Sequence, residues 1–265
     1  MTADTHFLPA GNDDLQVELR GQVLWLTITR ERRRNAISPG VFQGISDGIL
    51  YTRRDASLRA IVLTGEGDKA FCAGADLQAG DPFLVDYANP FGPAADLFRL
   101  ARQSTVPMVA RVNGACFAGG MGLMAMCDLV VAASHATFAL PEIKVGIFPA
   151  QVLALLQHLL PRRVLVHMCL TGAALSAEEA LALHLVNSVA ADLDREISQL
   201  LDRLAAGSPV AIRRGVYMLK KIESMPFEEA VSFAEGQITL FSQSADAKEG
   251  LAAFNQKRAP AWPGR

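Results

Sequence analysis

The most constraining feature of this sequence is a repeated pattern in which a short apolar run ends in glycine and leads into small residues. LRAIVLTG at 58–65 leads to FCAGADL at 71–77, and PMVARVNG at 107–114 leads to ACFAGGMG at 115–122. Apolar, β-branched runs of this length predict buried strands. Alanine and glycine leave the backbone atoms accessible to other groups. We therefore expect the backbone that follows each strand to have a structural or binding role.

Other strands and helices are predicted around these two strands. LQVELRGQVLWLTIT predicts a hairpin that turns at Arg20 and Gly21, and Ser38–Pro39 is typical of a helix start. GGMGLMAMCD predicts a buried helix, and LVVAAS, ATFAL and VNSVA predict further short strands. Strands that alternate with helices up to about residue 190, followed only by helices, indicate an α/β core with a C-terminal helical region.

The C-terminal part of the chain is predicted to be helical and partly apolar. Ser176 and Glu179 form a capping box sequence, and Ser208–Pro209 begins another helix. Two amphipathic helices follow, so we divide the chain into a core over 14–200 and a helical region over 201–265. The apolar positions of this region pack either on its own core or on a neighbouring subunit.

Composition excludes several classes of protein. The net charge of −2 gives no electrostatic support for nucleic acid binding. The basic clusters RERRR and KR, at 30–34 and 257–258, are either solvated surface or a local phosphate contact. Four cysteines without CxxC spacing predict neither a metal site nor disulfides. The N-terminus does not resemble a signal peptide, and no apolar run is long enough to span a membrane, so we expect a cytoplasmic protein.

Both small-residue stretches predict backbone amides that are free to bind an anion. A helix is expected to begin near Asp76, so the amides of residues 73–75 would precede it, and Gly119 and Gly120 begin the second helix in the same way. Two such amides directed at one oxygen would stabilise an enolate or oxyanion. The alternative is that both stretches are tight packing turns without a catalytic role.

Glu142, in FALPEIKVGIFP, is the candidate acid or base. It follows a predicted strand and has the apolar neighbours Ile143, Val145, Ile147 and Phe148 in sequence. Burial among apolar side chains raises the pKa of a carboxyl group, which suits proton transfer near neutral pH. The alternative is a glutamate that faces water at the start of a helix.

Several motifs, in this order and spacing, resemble the enoyl-CoA hydratase/isomerase family, also called the crotonase family. They are RNAI, GDKAFCAGADL, VNGACFAGGMGLMAMCDLVVAA, FALPEIKVGIFP, LTGAALSAEEALALHLVNSV and EGLAAFNQKRAPAW. The resemblance covers about residues 15 to 262. It implies a spiral of repeated ββα units, with C-terminal helices that build homotrimers or homohexamers.

The resemblance also implies which residues form the site. The two oxyanion amides correspond to Ala75 and Gly119, and a catalytic glutamate corresponds to Glu142. Arg32 matches a basic residue that meets the phosphates of coenzyme A, and Lys257 matches a C-terminal lysine that reaches the nucleotide. Other residues implied to border the acyl-CoA are Ala36, Ala73, Asp76, Leu77 and Gln78. Coenzyme A is part of the substrate, so neither a separate cofactor nor a metal is implied.

Gly122 is the position at which the sequence departs from the usual hydratase of the family. That enzyme holds water between two glutamates, of which the second corresponds to Glu142 and the first to Gly122. No carboxylate stands between Ala115 and Cys127. We therefore expect Gly122 to leave space for a branched acyl chain or for a carboxylate on the substrate.

Three functions are compatible with these residues. The first is hydration of an unusual 2-enoyl-CoA with Glu142 as the only protein acid/base, and the second is Δ3,Δ2-enoyl-CoA isomerisation by the same single base. The third is a non-catalytic scaffold or RNA-binding protein, which the acidic charge balance and the intact oxyanion motifs disfavour. Within the family, the chain most resembles hydratases of branched glutaconyl-type thioesters, such as isohexenylglutaconyl-CoA in acyclic terpene breakdown.

Overall fold

A computed structural model describes residues 8–78 and 92–265 of the chain. The strands over these residues are β1 (Leu15–Arg20), β2 (Val23–Ile28), β3 (Ala60–Gly65), β4 (Ala70–Cys72), β5 (Met108–Val112), β6 (Ala115–Phe117), β7 (Leu129–Ala133), β8 (Thr137–Ala139), β9 (Ala174–Ser176) and β10 (Ser188–Ala190). The helices are α1 (Pro39–Tyr51), α2 (Pro93–Arg102), α3 (Gly119–Ala125), α4 (Ala150–Leu156), α5 (Arg162–Thr171), α6 (Ala177–Ala182), α7 (Leu193–Ala206), α8 (Pro209–Ile222), α9 (Phe227–Gln243) and α10 (Ala245–Asn255). Short 3-10 helices cover Glu31–Arg33 and Pro141–Val145.

A six-stranded sheet in the order β1-β2-β3-β5-β7-β10 forms the larger layer. The predicted hairpin joins β1 and β2 in antiparallel pairing, and the remaining neighbours pair in parallel. The predicted start of α1 is also confirmed, because the Ser38 hydroxyl caps the helix by accepting from the Val41 N–H. The α/β class predicted from the sequence is therefore correct.

A second sheet, in the order β4-β6-β8-β9, was not predicted. Strands β4 and β6 overlap the small-residue stretches, which were expected to hold free backbone amides before a helix or, alternatively, tight packing turns, and not strands. Consecutive strands alternate between the layers, since β3, β5 and β7 belong to the large sheet and β4, β6 and β8 to the small one. Strands β4, β6 and β8 run parallel, so their carboxyl ends meet at one edge of the small sheet.

Alternate residues of the large sheet face two separate cores. One face carries residues such as Leu26 and Leu63, which pack in a cluster with Ile45 of α1 and Phe71 and Phe138 of the small sheet. The other face carries residues covered by α7, as the two-residue period of a strand requires. The members of this second cluster include Val62, Val109, Val131, Leu193 and Ile197.

The C-terminal helices α8, α9 and α10 pack on one another. The predicted boundary between residues 200 and 201 falls inside α7, which covers the large sheet. Many apolar side chains of the last three helices remain exposed, among them Leu219, Phe227, Ile238, Leu251 and Phe254. Across the two described ranges, none of the helices combines the length and apolar character that a membrane crossing requires.

Candidate active site

The segment that carries Ala75 is held like an extra strand against the segment that precedes α1. Ile37 pairs with Ala75 in a parallel bridge, in which the Ile37 N–H donates to Gly74 O and the Asp76 N–H donates to Ile37 O. In such a bridge the residue between the two bonded neighbours directs its own N–H away from the partner. No described residue accepts from the Ala75 N–H, so this donor is free.

Gly119 brings a second amide to the same place. It is the first residue of α3, where the N–H has no acceptor within the helix. A Cβ built on Gly119 would lie 3.8 Å from the Ala75 nitrogen and 3.7 Å from the Gly74 Cα. The two segments therefore meet at their backbones, as the sequence predicted, and both residues are partly exposed to solvent.

The turn that directs Gly119 is made by Ala118, a residue that sequence analysis did not identify. Ala118 has φ 51° and ψ −124°, a conformation that residues with a Cβ rarely adopt. Its N–H donates to Ala139 O at 2.9 Å, which ties the end of β6 to the end of β8. Its Cβ lies where a Cβ on Gly74 would come within 2.7 Å, so glycine is required at position 74.

Glu142 lies just beyond β8, at the same edge of the small sheet. Its side chain is buried, and its Oε2 is fully buried with no partner among the described residues. Burial raises the pKa of this carboxyl group, which outweighs the opposing effect of its own backbone N–H. The interpretation of Glu142 as a glutamate facing water is wrong, because only 7% of the residue is exposed.

The side chains that bury Glu142 are not the ones expected from the sequence. The sequence neighbours Ile143, Val145 and Phe148 are all exposed, so they do not enclose the carboxylate. The 3-10 helix that holds Glu142 packs against α5 instead. The buried thiol of Cys169, on α5, lies close enough that the Glu142 charge helps to raise the pKa of that thiol, after the larger effect of burial.

Residues 76 to 78 differ from the sequence-based expectation. They form a turn and not the start of a helix, and the continuation over 79–91 lies outside the described residues. Asp76 is buried and its carboxylate binds Arg30, with Nη2 to Oδ2 at 2.7 Å. The side chain of Asp76 therefore makes its contacts within the protein, and its place at the border of the acyl-CoA stays a prediction.

The other predicted binding residues are distributed around this segment. Leu77 and Gln78 are exposed, and Gln78 accepts a hydrogen bond from Arg33. Ala73 is partly exposed and donates its N–H to Arg34 O. Ala36 is buried, and its carbonyl accepts from Arg30.

Arg32 and Lys257 lie on different parts of the chain. Arg32 is exposed and belongs to the 3-10 helix Glu31–Arg33, beside the arginine that binds Gln78. Lys257 follows α10, which packs on α8 and α9, and has a left-handed backbone with φ 52°. The structure therefore brings Arg32 near the segment that carries Ala75, whereas Lys257 belongs to the helical region.

The space expected beside Gly122 is filled. A Cβ on Gly122 would meet Phe98 Cζ at 2.7 Å and Val152 Cγ2 at 3.2 Å. Phe98 belongs to α2 and Val152 to α4, and both are buried. The expectation of an open space at Gly122 is therefore wrong, because the missing side chain is replaced by an aromatic ring from another helix.

Comparisons with known proteins agree with this geometry. A sequence profile described as enoyl-CoA hydratase/isomerase matches residues 18–265. The carnitinyl-CoA dehydratase of Salmonella typhi is 35% identical over 266 residues, which cover 96% of this chain and 100% of that protein. This chain therefore belongs to the enoyl-CoA hydratase/isomerase family.

Solved structures show the same fold. A Mycobacterium smegmatis enoyl-CoA hydratase superposes with a TM-score of 0.89 at 32% identity, covering 95% of this chain and 99% of that one. The Bacillus anthracis enoyl-CoA hydratase gives 0.87 at 26% identity, with coverages of 95% and 100%. These similarities confirm the crotonase-type fold that the sequence motifs implied.

Proposed function

We propose that this chain adds water to, or removes water from, the α,β-position of an acyl-CoA thioester. The paired free amides of Ala75 and Gly119 carry this proposal. They donate hydrogen bonds to the thioester carbonyl oxygen and stabilise the negative charge that develops on it when C3 is attacked or C2 is deprotonated. Each chain supplies both donors from its own backbone, so no metal is needed to hold this charge.

Glu142 is the proton carrier of the proposed reaction. For hydration, its carboxylate takes a proton from water as the oxygen bonds to C3, and the resulting enolate is protonated at C2 by the same carboxyl group. Dehydration is the reverse sequence. The raised pKa of Glu142 brings its two protonation states closer in energy near neutral pH, which favours transfer in both directions.

Isomerisation is the second candidate, favoured by the replacement of a second carboxylate by the Phe98 ring at Gly122. A single base removes a proton from C2 of a 3-enoyl-CoA and returns it to C4, while the same amides hold the dienolate oxygen. This reaction needs no bound water. Beyond the two amides, Glu142 and the apolar Phe98 ring are therefore sufficient for isomerisation.

We also propose a class of acyl group for the substrate. The matched relative from Salmonella typhi is named carnitinyl-CoA dehydratase, which supports a functionalised acyl chain. The isohexenylglutaconyl-CoA expected from the sequence also has such a chain, but Gly122 does not provide the open space expected for its branch. We therefore propose a substituted 2-enoyl-CoA or 3-hydroxyacyl-CoA, with coenzyme A bordered by Arg32, Leu77 and Gln78.

We also propose that the protein works as a homotrimer or homohexamer in the cytoplasm. The exposed apolar side chains of α8, α9 and α10 support association, because such side chains gain free energy when they are covered. Association would also allow Lys257 of one subunit to reach a nucleotide bound to the next.

The test is to incubate purified protein with crotonyl-CoA, carnitinyl-CoA, isohexenylglutaconyl-CoA and a 3-enoyl-CoA, and to identify products by mass spectrometry and NMR. A mass change of one water identifies a hydratase or dehydratase, and a shifted double bond at unchanged mass identifies an isomerase. The Glu142→Gln variant is the control. Failure of the parent to bind or convert any of these thioesters would overturn the proposal.

A further inference from the structure

Arg30 links three segments around the free amide of Ala75. Its Nη2 lies 2.7 Å from Asp76 Oδ2, its Nη1 donates to Ala36 O at 2.6 Å, and its Nε lies 2.8 Å from Asp14 Oδ1. The arginine side chain is 14% exposed and that of Asp76 only 6%. This guanidinium is therefore largely shielded from water, and its contacts are with fixed partners.

Asp76 uses its second carboxylate oxygen to hold the turn that follows. Its Oδ1 accepts from the Gln78 N–H at 3.1 Å, and Arg33 lies 3.9 Å from the same oxygen. The pKa of Asp76 is lowered, first because of the hydrogen bond from Arg30. Asp76 is thus ionised and fixed on both sides, immediately after Ala75 in the chain.

These contacts determine the direction of the Ala75 N–H. Asp76 cannot move away from Ile37 without stretching both its backbone bond to Ile37 O and its ion pair with Arg30. While that pairing holds, the Ala75 N–H is directed away from the segment over 34–37, and its nitrogen lies 3.8 Å from the position of a Cβ built on Gly119. The partners of the Arg30 and Asp76 side chains among the described residues include neither the Ala75 N–H nor Gly119, so we argue that the influence of the ion pair passes through the backbone.

We propose that the Arg30–Asp76 ion pair is a positioning device that fixes the Ala75 amide in the oxyanion hole. This inference rests on the proposed function and assigns to both residues a role that the sequence analysis did not give them. Loss of the pair leaves Gly119 and Glu142 in place but lets the Ala75 N–H rotate. A displacement of about 1 Å in a catalytic group lowers a rate by about 10²-fold.

The experiment compares Asp76→Ala, Asp76→Asn and Arg30→Lys with the parent. Asp128→Asn is the matched control, because Asp128 also forms a shielded ion pair, 3.0 Å from Lys220, but joins α8 to the core. The probe is a 4-dimethylaminocinnamoyl-CoA thioester, whose absorbance shifts to the red when hydrogen bonds polarise its carbonyl. Its dissociation constant reports binding, and its absorbance shift reports the oxyanion contacts.

We expect Asp76→Ala to lose most of the red shift and about 10²-fold in kcat, with less than a threefold change in KM. Asp76→Asn, which keeps an acceptor for Arg30, should recover part of both, and Asp128→Asn should keep the full shift. A full red shift and parental kcat in folded Asp76→Ala would overturn this inference while leaving the proposed function intact. If the parent itself binds the probe without a red shift, the proposed function fails as well.

Discussion

The chemistry proposed for this site depends on a single residue, Glu142. Its carboxylate is buried, and its Oε2 has no partner within the two ranges that the structure describes, an arrangement that costs stability whenever the group is ionised. The sequence predicted the burial of this residue, although its exposed apolar neighbours in sequence are not the side chains that bury it. It could not indicate Arg30, Ala118 or Phe98, because their roles depend on contacts with residues that are distant in the chain.

Replacing Glu142 with glutamine should lower turnover by about 10²–10⁴-fold while leaving thioester binding close to parental. In the parent, the rate constant for the step that needs the carboxylate as a base should rise with pH through its raised pKa. Stopped-flow or steady-state kinetics across the pH range measure both effects. A variant with turnover within twofold of the parent would contradict the role of Glu142.

The same residue predicts a pH dependence of stability. Because the pKa of Glu142 is higher in the folded than in the unfolded chain, the folded state binds this proton more tightly. Its contribution to the free energy of unfolding therefore falls as pH rises from about 4.3, the ordinary value for glutamate, through the raised pKa. Urea unfolding should show this loss in the parent and not in Glu142→Gln.

The close contact between Gly122 and Phe98 leads to a prediction about stability. Gly122→Ala should destabilise the fold by about 1–3 kcal/mol, because the new Cβ meets the ring at 2.7 Å and Val152 at 3.2 Å. Adding Phe98→Leu should recover part of the loss, as coupled neighbours do. Gly215→Ala is the control, because no atom of the described part of the chain lies within 4 Å of a Cβ at that position in α8. Additive effects of the two changes in urea unfolding would rule out the contact.

At the scale of elements, local signals were sufficient for most of the large sheet and for the helix caps. Ser38, Ser176 and Ser208 each cap the helix that the sequence placed after them. Strands β4, β6 and β9 have three residues each and contain no β-branched residue, unlike the equally short β8 and β10 that were predicted. They form strands because segments that are distant in the chain pair with them. The small sheet, which positions the site, could therefore not be predicted from local sequence.

Asp246 joins three C-terminal elements and predicts an acid-dependent loss of stability. Its buried carboxylate accepts from Ser208 Oγ at 2.6 Å, from the Val210 N–H at 3.1 Å and from the Gly264 N–H at 2.7 Å. Burial alone would raise the pKa of Asp246, but these donors together lower it. We expect Asp246→Asn to cost about 1–3 kcal/mol at neutral pH.

The contribution of Asp246 to the free energy of unfolding changes with pH in the opposite direction to that of Glu142. The contribution of Asp246 is complete above its unfolded pKa, about 3.9, and is lost as pH falls through the lower folded value. Unfolding of parent and variant should therefore converge in acid. Asp96→Asn, which removes an exposed pair with Arg99, should change stability little at any pH. A constant gap between parent and Asp246→Asn across this range would contradict the assignment.

At the scale of the whole molecule, the α/β core and the helical C-terminal region were both foreseen from the order of strand and helix patterns. These patterns could not show that α7 belongs to the core, because this helix follows the last strand in the chain and yet covers the large sheet. The surface of the last three helices is unusually apolar for a chain in water. Phe254 and Phe227 are 81% and 76% exposed, and Leu219 is 67% exposed.

This surface predicts self-association that depends on the C-terminal helices. The parent should have the mass of three or six chains in light scattering coupled to size-exclusion chromatography. Phe227→Glu with Phe254→Glu should shift the mass toward the monomer, because a charged group cannot be covered cheaply. Leu19→Glu, on the exposed strand β1, should leave the mass unchanged. A monomeric parent at micromolar concentration would contradict the prediction.

The left-handed conformation of Ala118 also has a consequence for how activity returns during refolding. Ala118 has φ 51° where Ala139 O accepts its N–H and Gly74 packs close to its Cβ; Ala139 ends β8, and Gly74 follows β4. An intermediate that has formed the large sheet but not these contacts would leave the Gly119 amide free to rotate. Catalytic activity should therefore reappear with the last kinetic phase of folding, after the fluorescence of Trp25 in β2 has reached its native value.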